Sequence, residues 1–262
     1  MAMTDLEYEV AEHIATIRLN RPQRKNAFTL EMIDAWAQAL IEAEEDSNVR
    51  VVVVTGAGGA FCSGVDLSVL DSIAPTPLGA KELLTKRVHK VAHAAEALSK
   101  PYLSAIPGDA IGAGMDMALL TDIRLAAESA RFSQAYIRVG LVPGDGGCYL
   151  LPRIVGTATA LQLMWTGRIV DAEEALSLGI VSAVHPDDQL DDAIHELASE
   201  IARQPPIAVQ LIKRSTRLGE RHDLRTALDL ISSHHAVVTA TDDSREARRA
   251  LAEKRPAHFV GS

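Results

Sequence analysis

The stretch that decides the fold is "YLSAIPGDAIGAGMDMALLTDIRLAAESARFSQAY", residues 102–136. Its first seven residues are mostly apolar and end in a Pro-Gly pair, which is typical of a short buried strand. A glycine-rich junction leads into a helical pattern over residues 110–122, and residues 123–136 hold two short strands. Strand, glycine-rich exit and helix in this order predict an α/β fold.

The same alternation extends outward to about residue 200. Residues 6–22 alternate apolar and polar side chains around a central break and predict a hairpin, and "VRVVVVTG" predicts a strand buried on both faces. From about Asp187 the pattern is helical, interrupted at Pro205-Pro206. We therefore predict a core over residues 1–200 and a C-terminal helical region over residues 201–262, which would promote oligomerisation and cover the pocket.

Composition and charge exclude several classes of protein. The formal net charge of -9 over 262 residues argues against binding to nucleic acid or to an anionic membrane surface, although a local basic patch could hold a small anionic ligand. Two cysteines provide no disulfide framework and no metal cluster, so we expect a reducing, cytoplasmic location. We expect neither a signal peptide nor a membrane span.

The glycine-rich segments fit no nucleotide-binding motif. "GAGGAFCSG", residues 56–64, lacks the Lys-Ser/Thr ending of a phosphate-binding loop and the third glycine of a dinucleotide fingerprint. His89 and His93 are four residues apart, but Lys90 stands where a zinc protease needs Glu, so we expect a solvated helix face. Two glycine-rich strand exits predict instead that two peptide N–H groups converge on one oxygen, as in an oxyanion hole. The alternative is that these glycines only permit tight turns.

Four segments together resemble the crotonase family, also called the enoyl-CoA hydratase/isomerase superfamily. They are "LNRPQRKNAFTLEM", "VVVVTGAGGAFCSGVDL", the block from residue 100 to 156, and "MWTGRIVDAEEALSLGIVSAV". The resemblance implies a crotonase-type spiral of ββα turns with a helical C-terminal region, assembled as a homotrimer or a dimer of trimers. It also implies an acyl-CoA substrate, so that coenzyme A arrives with the substrate and no other cofactor or metal is needed.

The resemblance also assigns ligand contacts residue by residue. It implies that the amides of Val65 and Ala113 stabilise the enolate-like oxygen of the thioester, which is more charged in the transition state than in the ground state. Arg24 and Lys25 would bind the CoA phosphates, although a solvated basic turn explains them equally well. Further CoA contacts implied in this way are Ala27, Ala60, Cys62, Gly64, Asp66 and Leu67.

The catalytic acids depart from the family pattern. Hydratases of this family use two glutamates, and Asp116 and Tyr136 occupy the corresponding positions in this sequence. Tyrosine, with a reference pKa of about 10, is a poor base near neutral pH. Asp145 lies one residue after the position where some isomerases and hydrolases of the family carry an aspartate. The alternatives are a helix-start carboxylate for Asp116 and a turn aspartate for Asp145.

Three functions remain open at this point. The first is an acyl-CoA hydratase or isomerase with Asp116 as leading acid/base, Asp145 second and Tyr136 assisting. The second is a hydrolase of the same fold that cleaves a β-diketone or a thioester. The third is an acyl-CoA-binding protein that keeps the oxyanion hole without the acids. In the second, Asp145 or a histidine would assist water. We expect the first.

Overall fold

The computed structural model describes residues 5–66, 68–69 and 76–262. Two sheets form the centre of this part of the chain. The larger sheet contains, in spatial order, β1 (Leu6–Ala11), β2 (Ile14–Leu19), β3 (Val51–Gly56), β5 (Tyr102–Ile106), β7 (Ile123–Ala127) and β10 (Ala183–His185). The smaller sheet contains β4 (Ala60–Cys62), β6 (Asp109–Ile111), β8 (Arg131–Ser133) and β9 (Val170–Asp171).

Eleven α-helices of the described residues surround these sheets. They are α1 (Leu30–Glu45), α2 (Pro77–Leu83), α3 (His89–Ala97), α4 (Ala113–Leu119), α5 (Gly147–Val155), α6 (Thr157–Thr166), α7 (Ala172–Ser177), α8 (Leu190–Ala202), α9 (Pro206–Gly219), α10 (Leu224–Thr239) and α11 (Asp242–Glu253). Within the described residues, no helix is long and apolar enough to cross a membrane.

The path of the chain confirms the predicted ββα spiral. Three times it runs from a strand of the larger sheet to a strand of the smaller one and then into helix: β3 to β4, β5 to β6, and β7 to β8. β1 and β2 form the predicted antiparallel hairpin, whereas β2, β3, β5, β7 and β10 pair in parallel. Because each turn of the spiral adds one strand to each sheet, the exits of β4 and β6 lie side by side.

Several element boundaries differ from those predicted. The helix predicted over residues 110–122 begins only at Ala113, because Gly112 has φ +55 and the two residues before it pair with β8. The second predicted strand of residues 123–136 ends at Ser133, so Tyr136 lies in a 3-10 turn. Helix α5 follows the "VPGDGG" segment and was not predicted.

Helix α1 packs against the larger sheet through its apolar face. Its N-cap, Thr29, accepts a hydrogen bond from Met32 N at 3.3 Å, as predicted from the sequence. Trp36 on its apolar face is fully buried and donates from Nε1 to the hydroxyl of Tyr102 on β5, at 2.9 Å. The buried indole N–H thus has an acceptor in the buried phenol. This hydrogen bond holds α1 against β5, one of the two central strands of the larger sheet.

Helix α8 covers the opposite face of the larger sheet. Its buried side chains, among them Ile194 and Ala198, pack against Val51, Val53 and Leu103. Helix α8 thus packs on the spiral core as far as Ala202. The division of the chain at residue 200 stays a prediction. Whether the helices beyond it promote trimerisation and cover the pocket stays a prediction.

Candidate active site

The loop after β4 directs one free amide toward the site. Phe28 and Val65 form a parallel bridge in which Phe28 N donates to Gly64 O and Asp66 N donates to Phe28 O, both at 2.9 Å. These two bonds engage the carbonyl of Gly64 and the amide of Asp66, the residues before and after Val65. The amide of Val65 itself therefore points away from Phe28. Within the described part of the chain this amide has no acceptor. It is therefore available to a ligand oxygen.

A second free amide starts helix α4. Gly112, with φ 55 and ψ -120, turns the chain from β6 into the helix, and only glycine adopts this conformation readily. The first N–H groups of a helix have no partner inside it, and the Ala113 amide has none among the described residues. A Cβ on Gly64 would lie 3.6 Å from Ala113 N. The structure thus brings the loops of both predicted oxyanion donors together.

Glycine also sets the spacing of the two loops. A Cβ on Gly114 would lie 2.0 Å from the carbonyl oxygen of Cys62, so any larger residue would push α4 away from β4. The Cys62 thiol is buried, and burial raises its pKa to about 12. Cys62 therefore packs as a neutral side chain rather than as a nucleophile.

The predicted CoA-binding turn lies beside the same loop. Ser63 N donates to the carbonyl of Lys25 at 2.9 Å, and Ser63 Oγ donates to the carbonyl of Arg24 at 3.2 Å. Lys25 Nζ is 2.8 Å from Asp109, which reduces its capacity to bind a phosphate. The Arg24 guanidinium is exposed and has no side-chain partner among the described residues. Of the two predicted cations, Arg24 is the one left free for an anion.

The other predicted CoA contacts surround this turn. Ala27 and Ala60 have carbonyls that accept hydrogen bonds from Arg21 and from Asn26, at 2.5 and 2.7 Å. Asp66 accepts bonds from Ser68 and from Arg21, which hold its pKa at about 2. Leu67 lies outside the described residues. The assignment of these residues to CoA binding stays a prediction.

Asp116 lies one helical turn after Ala113 and is fully buried. Its Oδ1 accepts a bond from Gln134 Nε2 at 2.7 Å, and its Oδ2 accepts bonds from the Tyr136 hydroxyl at 2.9 Å and from Asp145 N at 3.3 Å. The amide of Gly147 lies near this carboxylate and lowers its pKa. The pKa of Asp116 is raised to about 6, mainly by burial and also by the charge of Asp145, although these donors lower it.

Asp145 is buried beside Asp116 but is differently bonded. Its Oδ2 lies 2.7 Å from the Tyr136 hydroxyl, whereas its Oδ1 has no hydrogen-bond partner in the described structure. Burial raises the pKa of Asp145, and the bond from Tyr136 and the nearby His89 lower it. A buried carboxyl oxygen without a partner is costly, and such a cost is typical of a functional position.

Two residues of this cluster were not predicted. Gln134 is buried, and its amide nitrogen orients Asp116, whereas its Oε1 has no hydrogen-bond partner among the residues that the structure describes. His89 was expected on a solvated face but is half-buried, and its Nε2 donates to the carbonyl of Gly144 at 2.8 Å. A five-residue π turn, Leu84–Val88, directly precedes it. The sequence contains no local signal for this contact, because it depends on how α3 meets the 144–147 loop.

Comparison with known proteins agrees with this arrangement. A sequence profile of enoyl-CoA hydratase/isomerase matches residues 9–262. This chain belongs to the enoyl-CoA hydratase/isomerase family. Like other members, it is an acyl-CoA-processing enzyme. Which reaction this family member catalyses depends on the acids rather than on the fold.

Relatives of known reaction include both isomerases and hydratases. The 1,2-epoxyphenylacetyl-CoA isomerase of Escherichia coli (strain K12) is 36% identical over 257 residues, covering 96% of this chain and 97% of the relative. The short-chain-enoyl-CoA hydratase of Clostridium acetobutylicum is 34% identical and covers 97% of each chain. The crystal structure of enoyl-CoA hydratase from Bacillus anthracis matches with a TM-score of 0.94 at 32% identity, covering 99% of this chain and all of that one.

Proposed function

We propose that the chain is an acyl-CoA isomerase of this family, which shifts a double bond by moving one proton near the thioester. In this proposal the amides of Val65 and Ala113 bind the thioester oxygen, and Asp145 Oδ1 takes the proton from the adjacent carbon. The C–H electron pair passes into the thioester carbonyl, giving an enolate held by the two amides. A proton then returns from Asp145 to another carbon of the conjugated system.

The single observation that carries the proposal is the partner-free Oδ1 of buried Asp145. Both oxygens of Asp116, in contrast, already accept bonds from protein donors. We expected Asp116 to be the leading acid/base, and these contacts favour Asp145 in that role with Asp116 second. A reaction that needs one free carboxyl oxygen fits this site better than one that needs two.

Hydration is the second candidate, and the hydratases among the relatives favour it. Hydration needs one group to take a proton from water and another to protonate the carbon, and two glutamates do this in the family's hydratases. Here the second position is Tyr136, whose pKa is raised well above 10 by burial and by the charges of Asp116 and Asp145. A phenol of this kind cannot serve as the base that activates water.

Turnover of a substrate panel tests the proposal. We expect wild-type protein in deuterated buffer to interconvert 2-enoyl- and 3-enoyl-CoA or dienoyl-CoA esters faster than it adds water, as followed by proton NMR and mass spectrometry. Asp145→Asn should lower kcat by about 100-fold or more, the usual contribution of a general base. The control is Asp188→Asn, a change at an exposed aspartate outside the cluster.

Other outcomes would point to the other functions. Water addition as the main reaction would replace the isomerase proposal by hydration, and cleavage of a β-diketone or thioester would indicate the hydrolase. Tight binding of acyl-CoA without turnover or deuterium exchange would indicate a binding protein. Full activity of Asp145→Asn would remove Asp145 from the mechanism.

A further inference from the structure

The Tyr136 hydroxyl lies between two carboxyl groups. Its oxygen is 2.9 Å from Asp116 Oδ2 and 2.7 Å from Asp145 Oδ2, and both distances are those of hydrogen bonds. A phenol carries one proton, and an ionised carboxylate can only accept. One hydroxyl proton can serve two ionised carboxylates only as a bifurcated bond, which would leave two buried negative charges next to each other. Two full hydrogen bonds of these lengths form when one of the carboxyl groups is protonated and donates to the phenol oxygen. The positions of the three side chains therefore favour a single proton shared by the two carboxyl groups.

We propose that Asp116 and Asp145 share one proton and that Tyr136 relays it between them during catalysis. Tyr136 is then a positioning and relay residue, which acts on the substrate through Asp145. The relay deepens the isomerase proposal and rests on it. It accounts for a tyrosine at a position where a base would otherwise be required, because the phenol passes protons without ever being ionised.

The hydrogen bonds indicate where the shared proton rests. Asp116 accepts N–H bonds from the Gln134 side chain and from the amide of Asp145, and the amide of Gly147 lies near enough to lower its pKa. Gly147 is the first residue of α5, so Asp116 also faces the positive end of that helix dipole. Asp145 accepts no such N–H bond among the described residues. The negative charge is therefore favoured on Asp116 and the proton on Asp145 Oδ2.

The relay step balances in protons and charge. Asp145 Oδ1 takes the substrate proton while the proton on its Oδ2 passes to the oxygen of Tyr136. The original hydroxyl proton of Tyr136 passes to Asp116 Oδ2 in the same step. One C–H bond breaks, Asp116 becomes neutral, and its negative charge is replaced by that of the enolate at the oxyanion donors. The reverse transfers return a proton to a different carbon.

The other titratable groups near the pair do not supply a second relay. Burial raises the pKa of both the Cys62 and Cys148 thiols, so they are neutral near pH 7. His89 faces Asp145 across the loop and is bonded to the carbonyl of Gly144. Tyr136 is the only side chain among the described residues that contacts both carboxyl groups.

A double-variant cycle tests the relay. We expect Tyr136→Phe and Asp116→Asn each to lower kcat by about 100-fold with KM nearly unchanged. The double variant should be no slower than the slower single one, because both changes break the same chain of transfers. The control is Tyr8→Phe on β1, which should match wild type.

A spectroscopic measurement tests the proton count without relying on turnover. Infrared spectra near pH 7 should contain the carbonyl band of one buried carboxylic acid, absent in Asp145→Asn and shifted in Tyr136→Phe. Additive losses in the cycle, or full activity of Tyr136→Phe, would overturn the relay but leave the isomerase proposal standing. Absence of the band in wild type would overturn the shared proton. If wild-type protein has this carbonyl band but exchanges no substrate proton, the isomerase proposal would be overturned. The catalytic role of the relay would be overturned with it.

Discussion

Asp116 combines full burial with three hydrogen-bond donors, and its ionisation should affect stability. Burial raises its pKa from 3.8 to about 6, so between these pH values the folded protein binds more protons than the unfolded chain. The contribution of Asp116 to the free energy of unfolding must therefore fall as pH rises through this window and stay lower above pH 6. Two pKa units correspond to about 3 kcal/mol at roughly 1.4 kcal/mol per unit.

We expect Asp116→Asn to remove this part of the pH dependence. The free energy of unfolding, measured by urea denaturation from pH 4 to pH 7, should fall less steeply in the variant than in wild type. The measured quantity is the difference in pH slope between wild type and Asp116→Asn. Carboxyl groups with lowered pKa values, such as Asp66, make stability rise with pH in both proteins and cancel in this difference. Equal slopes in wild type and Asp116→Asn would contradict the raised pKa.

Single residues were predictable where a short spacing determined their position. Asp116 follows Ala113 by three residues, so one turn of helix places it near the predicted oxyanion donor. Gln134 and His89 were missed because each acts through a contact between segments distant in sequence. The missing partner of Asp145 Oδ1 is likewise a property of the packed structure. Sequence identifies the chemical groups, and packing decides which of their atoms remain free.

Among the elements, the entry into α4 depends most on one residue. Gly112 has a positive φ, and a Cβ there would meet nothing within 4 Å. Gly112→Ala therefore acts through backbone conformation alone, with a strain of about 1–3 kcal/mol. Relief of this strain would rotate the peptide that carries the Ala113 amide. We expect kcat to fall by about 100-fold, as for the loss of one oxyanion donor, when assayed with the best substrate of the panel.

Gly156 provides a matched control at the junction of α5 and α6. It also has a positive φ, 80, and open space around its Cβ position. Gly156→Ala should lower the melting temperature about as much as Gly112→Ala while leaving kcat unchanged. Equal activity of the two variants would show that the Gly112 conformation serves the fold rather than the oxyanion hole.

Element prediction was least successful for the shortest strands. β4 and β6 have three residues each and β9 has two, too few for an alternating pattern to be recognised. β4 also lies in a segment where glycines predicted only a loop. Helix α1 was correctly predicted because helical periodicity and an N-cap signal agreed over its sixteen residues. β3 was correctly predicted from its continuous run of valines.

For the whole molecule, the net charge of -9 makes any site for an anionic ligand depend on local cations. Arg24 is the free cation of the predicted CoA-binding turn, whereas Lys25 is paired with Asp109. We expect Arg24→Gln to raise KM for acyl-CoA by about fivefold, the effect of roughly 1 kcal/mol for an exposed ionic contact. KM for a short thioester without the nucleotide should not change.

Salt provides a second measurement of the same effect. The difference in KM between wild type and Arg24→Gln should shrink at high ionic strength, because exposed charges are screened. Lys25→Gln is the comparison variant and should have the smaller effect. An unchanged KM in Arg24→Gln would place the phosphate contacts elsewhere.

Large apolar side chains remain exposed on the single chain. They lie on the 137–142 segment, on α6 and on the C-terminal helices, and include Val139, Val142, Trp165, Ile212 and Leu228. Surfaces of this kind usually pack against another protein. The homotrimer or dimer of trimers predicted from sequence would cover such surfaces, and it stays a prediction.

The two tryptophans of the chain have opposite environments. Trp36 is fully buried and bonded to Tyr102, whereas Trp165 is 69% exposed. We therefore expect separable fluorescence: Trp165 should emit at longer wavelength and be quenched by iodide, and Trp36 should be shielded from the quencher. The natural protein thus contains one optical reporter of its core and another of a surface patch, and needs no attached dye to distinguish unfolding from association.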